Sequence, residues 1–401
     1  MPAKVVPDYV YLDYAATAPL CEEAARAMEP YQVPGRANLV CGGNANSLHA
    51  PGRAAFEAME RARKQVACAL GAARPDEVTF TSGATEADNA ALVGIAQAAV
   101  DARRRAGKPS SAPHVIVSAI EHDAVLVPAK RLEAQGFRVT RLAPDAQGFV
   151  HADALAAALD GDTVLVSVQT ANSEVGSIQP IAELARVAHD AGALMHTDAV
   201  QALGKVPIDV QELGVDAASF SAHKIGGPKG VGALYLRART PFAPQMLGGG
   251  QEGGRRSSTQ NVCGIAGFAA ACVAAAERVE GERARLGALR DRLYAELARA
   301  GGIEPTVAVE AGSLDFLPNI VHVIAKDYES ETLILRFDML GFGVSGGSAC
   351  SSHSLEPSHV LKAMGISGDR AYGALRVSMG RYTTAEDVEA FLAAVPKAFD
   401  W

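Results

Sequence analysis

The sequence predicts an α/β protein: a large domain with a mainly parallel sheet, and a smaller α/β domain formed mostly by the C-terminal third. Three observations carry that expectation. Short apolar, β-branched runs alternate with alanine-rich helical stretches through the first two thirds of the chain, the signature of strands joined by crossover helices. Five of those runs end in polar or ionisable residues. At 401 residues, 49% of them apolar, the chain supports one large core and a satellite.

The strand candidates follow in order. EVTF (77–80) leads into TSGATEADNAAL, HVIVS (114–118) into AIEHDAV, and TVLVSV (163–168) into QTANSEVG. ALMHT (193–197) ends in DAVQ, and AASFS (217–221) in AHKIGGPKG. In an open parallel sheet the C-terminal strand edge gathers loops and helix N-termini, so chemistry is expected there. The apolar stretch NVCGIAGFAAACVAAA (261–276) is too short and too rich in Ala and Gly for a membrane span and predicts a buried helix. Beyond it, Leu286, Leu289, Leu293 and Leu297 recur at helical spacing beside many charges, an amphipathic helix. NIVHVIA (319–325) and ALRVSMG (374–380) read as strands, and TTAEDVEAFLAAV as a final helix opened by a Thr-x-x-Asp/Glu cap.

Composition narrows the function classes. Acidic residues outnumber basic ones 45 to 37, a net charge of −8, which argues against nucleic acid as the main partner. MPAKVVPDYVYLDYAATAP has prolines and charges where a signal peptide needs an apolar core, so neither export nor membrane insertion is expected. The six cysteines (21, 41, 68, 263, 272 and 350) form no Cys-x-x-Cys pair and have no histidine at zinc-finger spacing. Neither disulfides nor a metal site is expected, and a reducing cytoplasm fits. Five of the cysteines read as packing residues. Cys350 differs, because GFGVSGGSACSSHSLEPSHV (341–360) surrounds it with residues too small to pack, which predicts a mobile loop with an accessible thiol.

The strand ends carry the chemistry. In SGATEADN (82–89), the N–H groups of Gly83, Ala84 and Thr85, the Thr85 hydroxyl and the helix dipole make either a phosphate cradle or an ordinary helix cap. Asp198 follows an apolar strand directly, so it must pair, with a protonated ring nitrogen or with a cation such as Lys205. His122 reads as a ring stacked on a flat ligand or as a structural histidine. In SFSAHKIGGPKG, Ser221, His223 and Lys224 sit at a strand end; Lys224 is a Schiff-base candidate or a phosphate-binding lysine, with Lys229 the competitor in the glycine turn. Together a phosphate cradle, a stacking ring, an acid for a ring nitrogen and a lysine for an aldehyde describe pyridoxal 5'-phosphate.

The ordered stretches YLDYAATAP, GNANSLHAPGR, TSGATEADN, EHDAV, ANSEVG, HTDAVQALGK, SFSAHKIGGPKG, GGGQEGGRRSST, GSACSSHSLEPSHVL and LRVSMGRYT resemble the group I, NifS/IscS-type cysteine desulfurases of the class V aminotransferase family. The resemblance implies a fold type I transferase: a large domain (16–260) with a seven-stranded sheet, and a small domain (1–15 and 261–401) that carries the Cys350 loop. It implies that Lys224 holds the cofactor, Asp198 pairs with its ring nitrogen, His122 stacks on the ring and assists proton transfer, and Gln201 bonds the ring oxygen. Ala84, Thr85, Ser221 and His223 would hold the phosphate, with Thr259 reaching the phosphate of a neighbouring subunit in a homodimer. Arg376, assisted by Asn44, would clamp the carboxylate of L-cysteine. The Cys350 thiolate would take the sulfur as a persulfide for an iron–sulfur scaffold or another sulfur acceptor.

Three positions depart from the family pattern. Asn172-Ser173-Glu174 stands for the usual Asn-Asn-Glu, which puts Ser173 where the cofactor-contacting asparagine aligns and leaves Asn172 one place away. Glu252-Gly253-Gly254 stands for Glu-Arg-Gly, and Ser258 for a glycine. These bear on substrate geometry and rate more than on reaction class. The alternatives within the fold are a selenocysteine lyase or another class V enzyme in which Cys350 is incidental; from a different function class come a sulfur-carrier and scaffold-binding module with vestigial catalysis, and a Cys-His hydrolase, for which no motif frames the thiol.

Overall fold

The computed structural model describes residues 9–108, 110–347, 357–366 and 368–399. Among these, twelve strands follow in chain order: β1 (Val10–Tyr11), β2 (Val78–Thr81), β3 (His114–Ser118), β4 (Arg138–Leu142), β5 (Thr163–Ser167), β6 (Leu194–Asp198), β7 (Ala217–Ser221), β8 (Gly232–Leu236), β9 (Ile303–Pro305), β10 (Ile320–Ala325), β11 (Phe342–Gly343) and β12 (Ala374–Ser378). Seven form the main sheet in the order β2-β8-β7-β6-β5-β3-β4. From β7 to β4 every pairing is parallel, and β8 alone runs against its neighbours β2 and β7.

The sheet lies between two helical layers, and side-chain alternation assigns each residue to one of them. Val115 and Val117 of β3 pack with Leu92, Ile95 and Leu132, from the helices Ala84–Arg105 and Asp123–Ala134. Ile116 between them faces the opposite core, with Met59, Val66, Leu184 and Phe268. The strand order reverses at β3, which lies between β4 and β5. Such a switch point opens a crevice at the C-terminal ends of the two strands, and the loops bearing His122 and Gln169 flank it.

A second core gathers around the antiparallel sheet β12-β10-β9, where Val321, Val323, Leu375 and Val377 pack with Phe337 and Phe391. The N-terminal segment joins this core through Leu12, through the parallel pair β1-β11 and through a bridge between Asp13 and Ser378. These contacts are the basis for proposing a large unit of 16–260 and a small unit of 1–15 with 261–401. One helix, Val262–Leu297, serves both cores. Its first half puts Ile265, Phe268 and Cys272 against the main sheet, and its second half puts Leu286, Leu293 and Leu297 into the small core. Its most apolar window, of mean hydropathy 1.6, meets the length and composition of a membrane span, and 50% of that window is buried within the protein.

Differences from the sequence expectation have physical causes. β4 is RVTRL, an edge strand whose two arginines are exposed, and β8 is GALYL after a glycine turn; neither presents a β-branched apolar run. The buried helix and the amphipathic helix are one continuous element. The final helix, Ala385–Phe399, has the expected reciprocal cap: Asp387 N–H donates to Thr384 Oγ1 at 3.1 Å, and Thr384 N–H to Asp387 Oδ2 at 2.9 Å. Cys21 and Cys272 are buried as packing residues, whereas Cys68 is exposed on its helix.

Candidate active site

A cavity of about 460 Å³ opens where β2, β3, β5, β6 and β7 end, with Arg376 of β12 closing one side. At one end, the helix Ala84–Arg105 begins directly after the β2 loop, and its N-cap Gly83 supplies no side-chain cap. The first-turn N–H groups have no intrahelical acceptor, and Gly83, Ala84 and Thr85 line the cavity with Ser221 and His223 beside them. Glu86, in the same turn, is tied away by Arg256 at 2.8 and 3.1 Å and caps Ser82 N–H at 2.8 Å. His223 shares a hydrogen bond of 3.1 Å with Thr17 Oγ1. Burial, then the charges of Lys224, Lys205 and Lys229, push its pKa down to about 4, so the ring is neutral. Cationic potential therefore collects around an N–H cradle without a protonated histidine.

In the middle of the cavity, Asp198 ends β6 and accepts from Val200 N–H at 2.9 Å. Two further acids, Asp88 and Glu121, are buried nearby, and desolvation raises all three above the usual carboxylate range. The charge on Asp198 also raises Asp88 and Glu121, while His122 and Lys224 draw Asp198 back toward its ionised form. A buried carboxylate with this surplus of acceptor capacity calls for a cationic donor. His122 caps the helix Asp123–Ala134, its Nδ1 accepting from Ala124 N–H at 3.0 Å, which leaves Nε2 as the ring nitrogen that can donate. Gln201 Nε2 donates to Ala15 O at 3.0 Å, and its buried Oε1 has no hydrogen-bond partner among the described residues; Asp88 Oδ1 has none either, with His196 Nε2 3.7 Å away.

Lys224 lies in a turn directly after β7, and its Nζ donates to Ala15 O at 2.5 Å and Ala16 O at 2.9 Å. Behind it, buried Lys205 donates to Lys224 O at 2.6 Å. Arg376 is buried at 2% exposure. Its Nη1 donates to Ser173 O at 2.9 Å and its Nη2 to Asp13 Oδ1 at 2.8 Å. The donor set fits a phosphorylated pyridine aldehyde: an N–H cradle for the phosphate, a buried acid for a protonated ring nitrogen, an unsatisfied amide oxygen and a primary amine.

The structure thus brings together ten of the residues singled out from sequence: Ala84, Thr85, His122, Ser173, Asp198, Gln201, Ser221, His223, Lys224 and Arg376. Three lie elsewhere. The Asn172 side chain braces its own loop, accepting from Glu174 and Val175 N–H at 2.9 Å and donating to Ile120 O at 3.2 Å. Asn44 is exposed and accepts from Asn46 N–H at 3.0 Å. Thr259 is exposed next to Gln260, which Asn46 reaches at 3.0 Å. Cys350, with His353, lies outside the described residues. Lys229, the competing lysine, is exposed at the cavity rim. Sequence reasoning passed over Asp88 and Gln169, which also line the cavity. The signals were there: Asp88 falls one helical turn after Thr85, and Gln169 closely follows the β5 run.

Comparison with known proteins gives a consistent pattern. The family model described as aminotransferase class-V matches residues 10–391. The chain is 43% identical over 379 residues to the cysteine desulfurase IscS of Dictyoglomus turgidum, covering 94% of this chain and 91% of that relative. It is 43% identical over 388 residues to the IscS of Methanosarcina thermophila, covering 97% and 91%. Among solved structures, a NifS-like protein superposes with a TM-score of 0.85 at 36% identity, covering 97% of this chain and 98% of that one. SspA in complex with cysteine superposes with a TM-score of 0.77 at 32% identity, covering 94% and 100%.

Proposed function

The chain belongs to the aminotransferase class-V family, and from that premise we propose that it is a pyridoxal 5'-phosphate-dependent cysteine desulfurase, removing sulfur from L-cysteine and leaving L-alanine. The observation that carries this reading is the convergence of Lys224, Asp198 and Arg376, from two separate cores, on one cavity with an N–H cradle at its end. When bound, the cofactor supplies an electron sink that labilises bonds around the substrate Cα and Cβ.

The residues divide the work. Lys224 would hold the aldehyde and, once displaced by substrate amine, move protons at its Nζ. Asp198 would keep the ring nitrogen protonated, and the His122 ring would lie on the cofactor face. Gly83, Ala84, Thr85, Ser221 and His223 would hold the phosphate, and Gln201 the ring oxygen. Arg376 would fix the substrate carboxylate, orienting the thiol end of the amino acid. The Cys350 thiolate would attack the substrate sulfur; the Cβ–S bond breaks, its electron pair stays with the carbon fragment, and the sulfur leaves as a persulfide on Cys350. Ser173, rather than Asn172, supports the cofactor side. The same reading includes a homodimer in which Thr259 reaches a neighbour's phosphate with Asn44 nearby, a reducing cytoplasm, and an iron–sulfur scaffold or another sulfur acceptor as partner.

Mass spectrometry of Cys350 after addition of L-cysteine tests the reading and is expected to show one additional sulfur atom. Borohydride reduction of the holoenzyme is expected to fix the pyridoxyl group on Lys224. Turnover of cysteine at the parental rate by Cys350→Ala would overturn the persulfide step, whereas loss with cysteine but retention with selenocysteine identifies attack by the enzyme thiol as the step specific to sulfur.

A further inference from the structure

We propose that Asp13 is a positioning residue for the substrate carboxylate: it presets the guanidinium of Arg376 and, by its own charge, holds down the affinity for the carboxylate that docks there. The proposal rests on Arg376 being the carboxylate site.

A guanidinium as buried as that of Arg376 needs an anion or a set of acceptors close by. Asp13 Oδ1 meets Nη2 at 2.8 Å and Ser173 O meets Nη1 at 2.9 Å, while the buried Nε has no partner among the described residues. Arginine offers five N–H groups, so these contacts leave donors for a second carboxylate on the same guanidinium. Among the described residues, the other acid facing Arg376 is Glu174, buried and accepting from Ser358 Oγ at 2.6 Å; burial favours its protonated form. Asp13 is therefore the standing negative charge on this arginine.

The backbone that carries Asp13 is held in place beside the arginine. Its segment bridges to Ser378, and Tyr14 N–H donates to Ser378 O at 3.1 Å. Its carbonyl accepts from Tyr11 Oη at 2.8 Å and from Ala16 N–H at 3.0 Å. The carbonyls of Ala15 and Ala16 in the same turn take the Lys224 ammonium. One four-residue stretch thus touches both the lysine at the amine end of the site and the arginine at its carboxylate end. A carboxylate ligand bound to Arg376 would lie close to a like charge carried on this pinned backbone, which lowers its affinity while the Asp13–Arg376 contact keeps the guanidinium aimed.

The two effects separate by substitution. Asp13→Asn keeps an oxygen acceptor for Nη2 and removes the charge; Asp13→Ala removes both. Calorimetric titration of the holoenzyme with L-alanine, and with cysteamine as an amine lacking the carboxylate, reads them out. Asp13→Asn is expected to bind L-alanine about 3- to 10-fold tighter, with cysteamine unchanged within about twofold. Asp13→Ala is expected to bind L-alanine more weakly than the parent, and if it fails to fold, Asp13→Asn decides alone. An Asn variant that binds L-alanine no tighter than the parent, or that shifts both ligands equally, overturns the proposal. Arg376→Gln serves as the separate check: if it does not weaken L-alanine relative to cysteamine, the assignment of Arg376 itself has failed, whatever the Asp13 variants show.

Discussion

Replacing Asp198 by Asn changes one charge at the centre of the site and little else. The amide oxygen can still accept from Val200 N–H, which lies 2.9 Å from the carboxylate, and the volume is nearly conserved. In the ligand-free protein, burial raises the pKa of Asp198, so its folded value lies above its unfolded one. Such a group contributes stability below about pH 4, and that contribution is lost as pH rises through the folded pKa. Near pH 8 the neutral amide avoids the desolvation cost of a buried carboxylate, which outweighs the pull of Val200 N–H, His122 and Lys224, so the apo variant should be more stable than the apo parent. With cofactor the sign reverses. Removing one partner of a buried, contacting ion pair costs about 3–5 kcal/mol, in line with about 4 kcal/mol for unit charges at 4 Å and an effective dielectric of 20. At 1.4 kcal/mol per decade, the dissociation constant for pyridoxal phosphate should rise by about two to three and a half orders of magnitude. Fluorescence titration of the apoprotein measures the affinity, and urea unfolding with and without cofactor measures the two stabilities. Cofactor affinity within about threefold of the parent, or a destabilised apo variant at pH 8, would refute the assignment of Asp198 as the partner of a cationic ring nitrogen.

Two further outcomes test the frame around the site. Lys205 is buried behind Lys224, and burial, then the charge on Lys224, push its pKa down to about 7. The unfolded chain therefore binds more protons above that pH, so apo stability should climb from pH 7 toward pH 10 and be lost as pH falls. Lys205→Met should flatten the slope of the urea midpoint over that interval, and an unchanged slope would exclude Lys205 as its source. At the base of β2, Glu252 receives Arg63 at 2.7 and 3.0 Å and Phe80 N–H at 2.9 Å, with both ionic side chains buried. Glu252→Ala should destabilise by about 3 kcal/mol because the Arg63 guanidinium loses its bidentate partner and keeps Glu60, the Val78 carbonyl and the Phe80 ring, whereas Glu252→Leu with Arg63→Met should cost much less. A single-variant loss below about 1 kcal/mol in chemical denaturation would show that the pair adds little.

What the sequence revealed and what it hid follow from the range of the interactions involved. β3 and β7 were legible because each is a short apolar run bounded by polar residues, and their pairing buries every side chain. Asp198, Ser221 and Lys224 were legible for the same local reason: a polar group at the end of a buried strand stands out against its neighbours. β4 and β8 lacked that contrast, since an exposed edge tolerates arginine and an antiparallel insertion needs no β-branched run. Relations across the chain were harder to read. Asp13 and Arg376 are 363 positions apart, and nothing local in YLDYAATAP says that its aspartate faces the arginine of LRVSMGR. Their meeting depends on the N-terminal segment joining the small core through Leu12 and the bridge to Ser378. That crossing sets the geometry between the lysine and the arginine. A change that loosens the segment without touching either side chain, such as Leu12→Ala, should therefore weaken carboxylate binding as well as the small core it packs in.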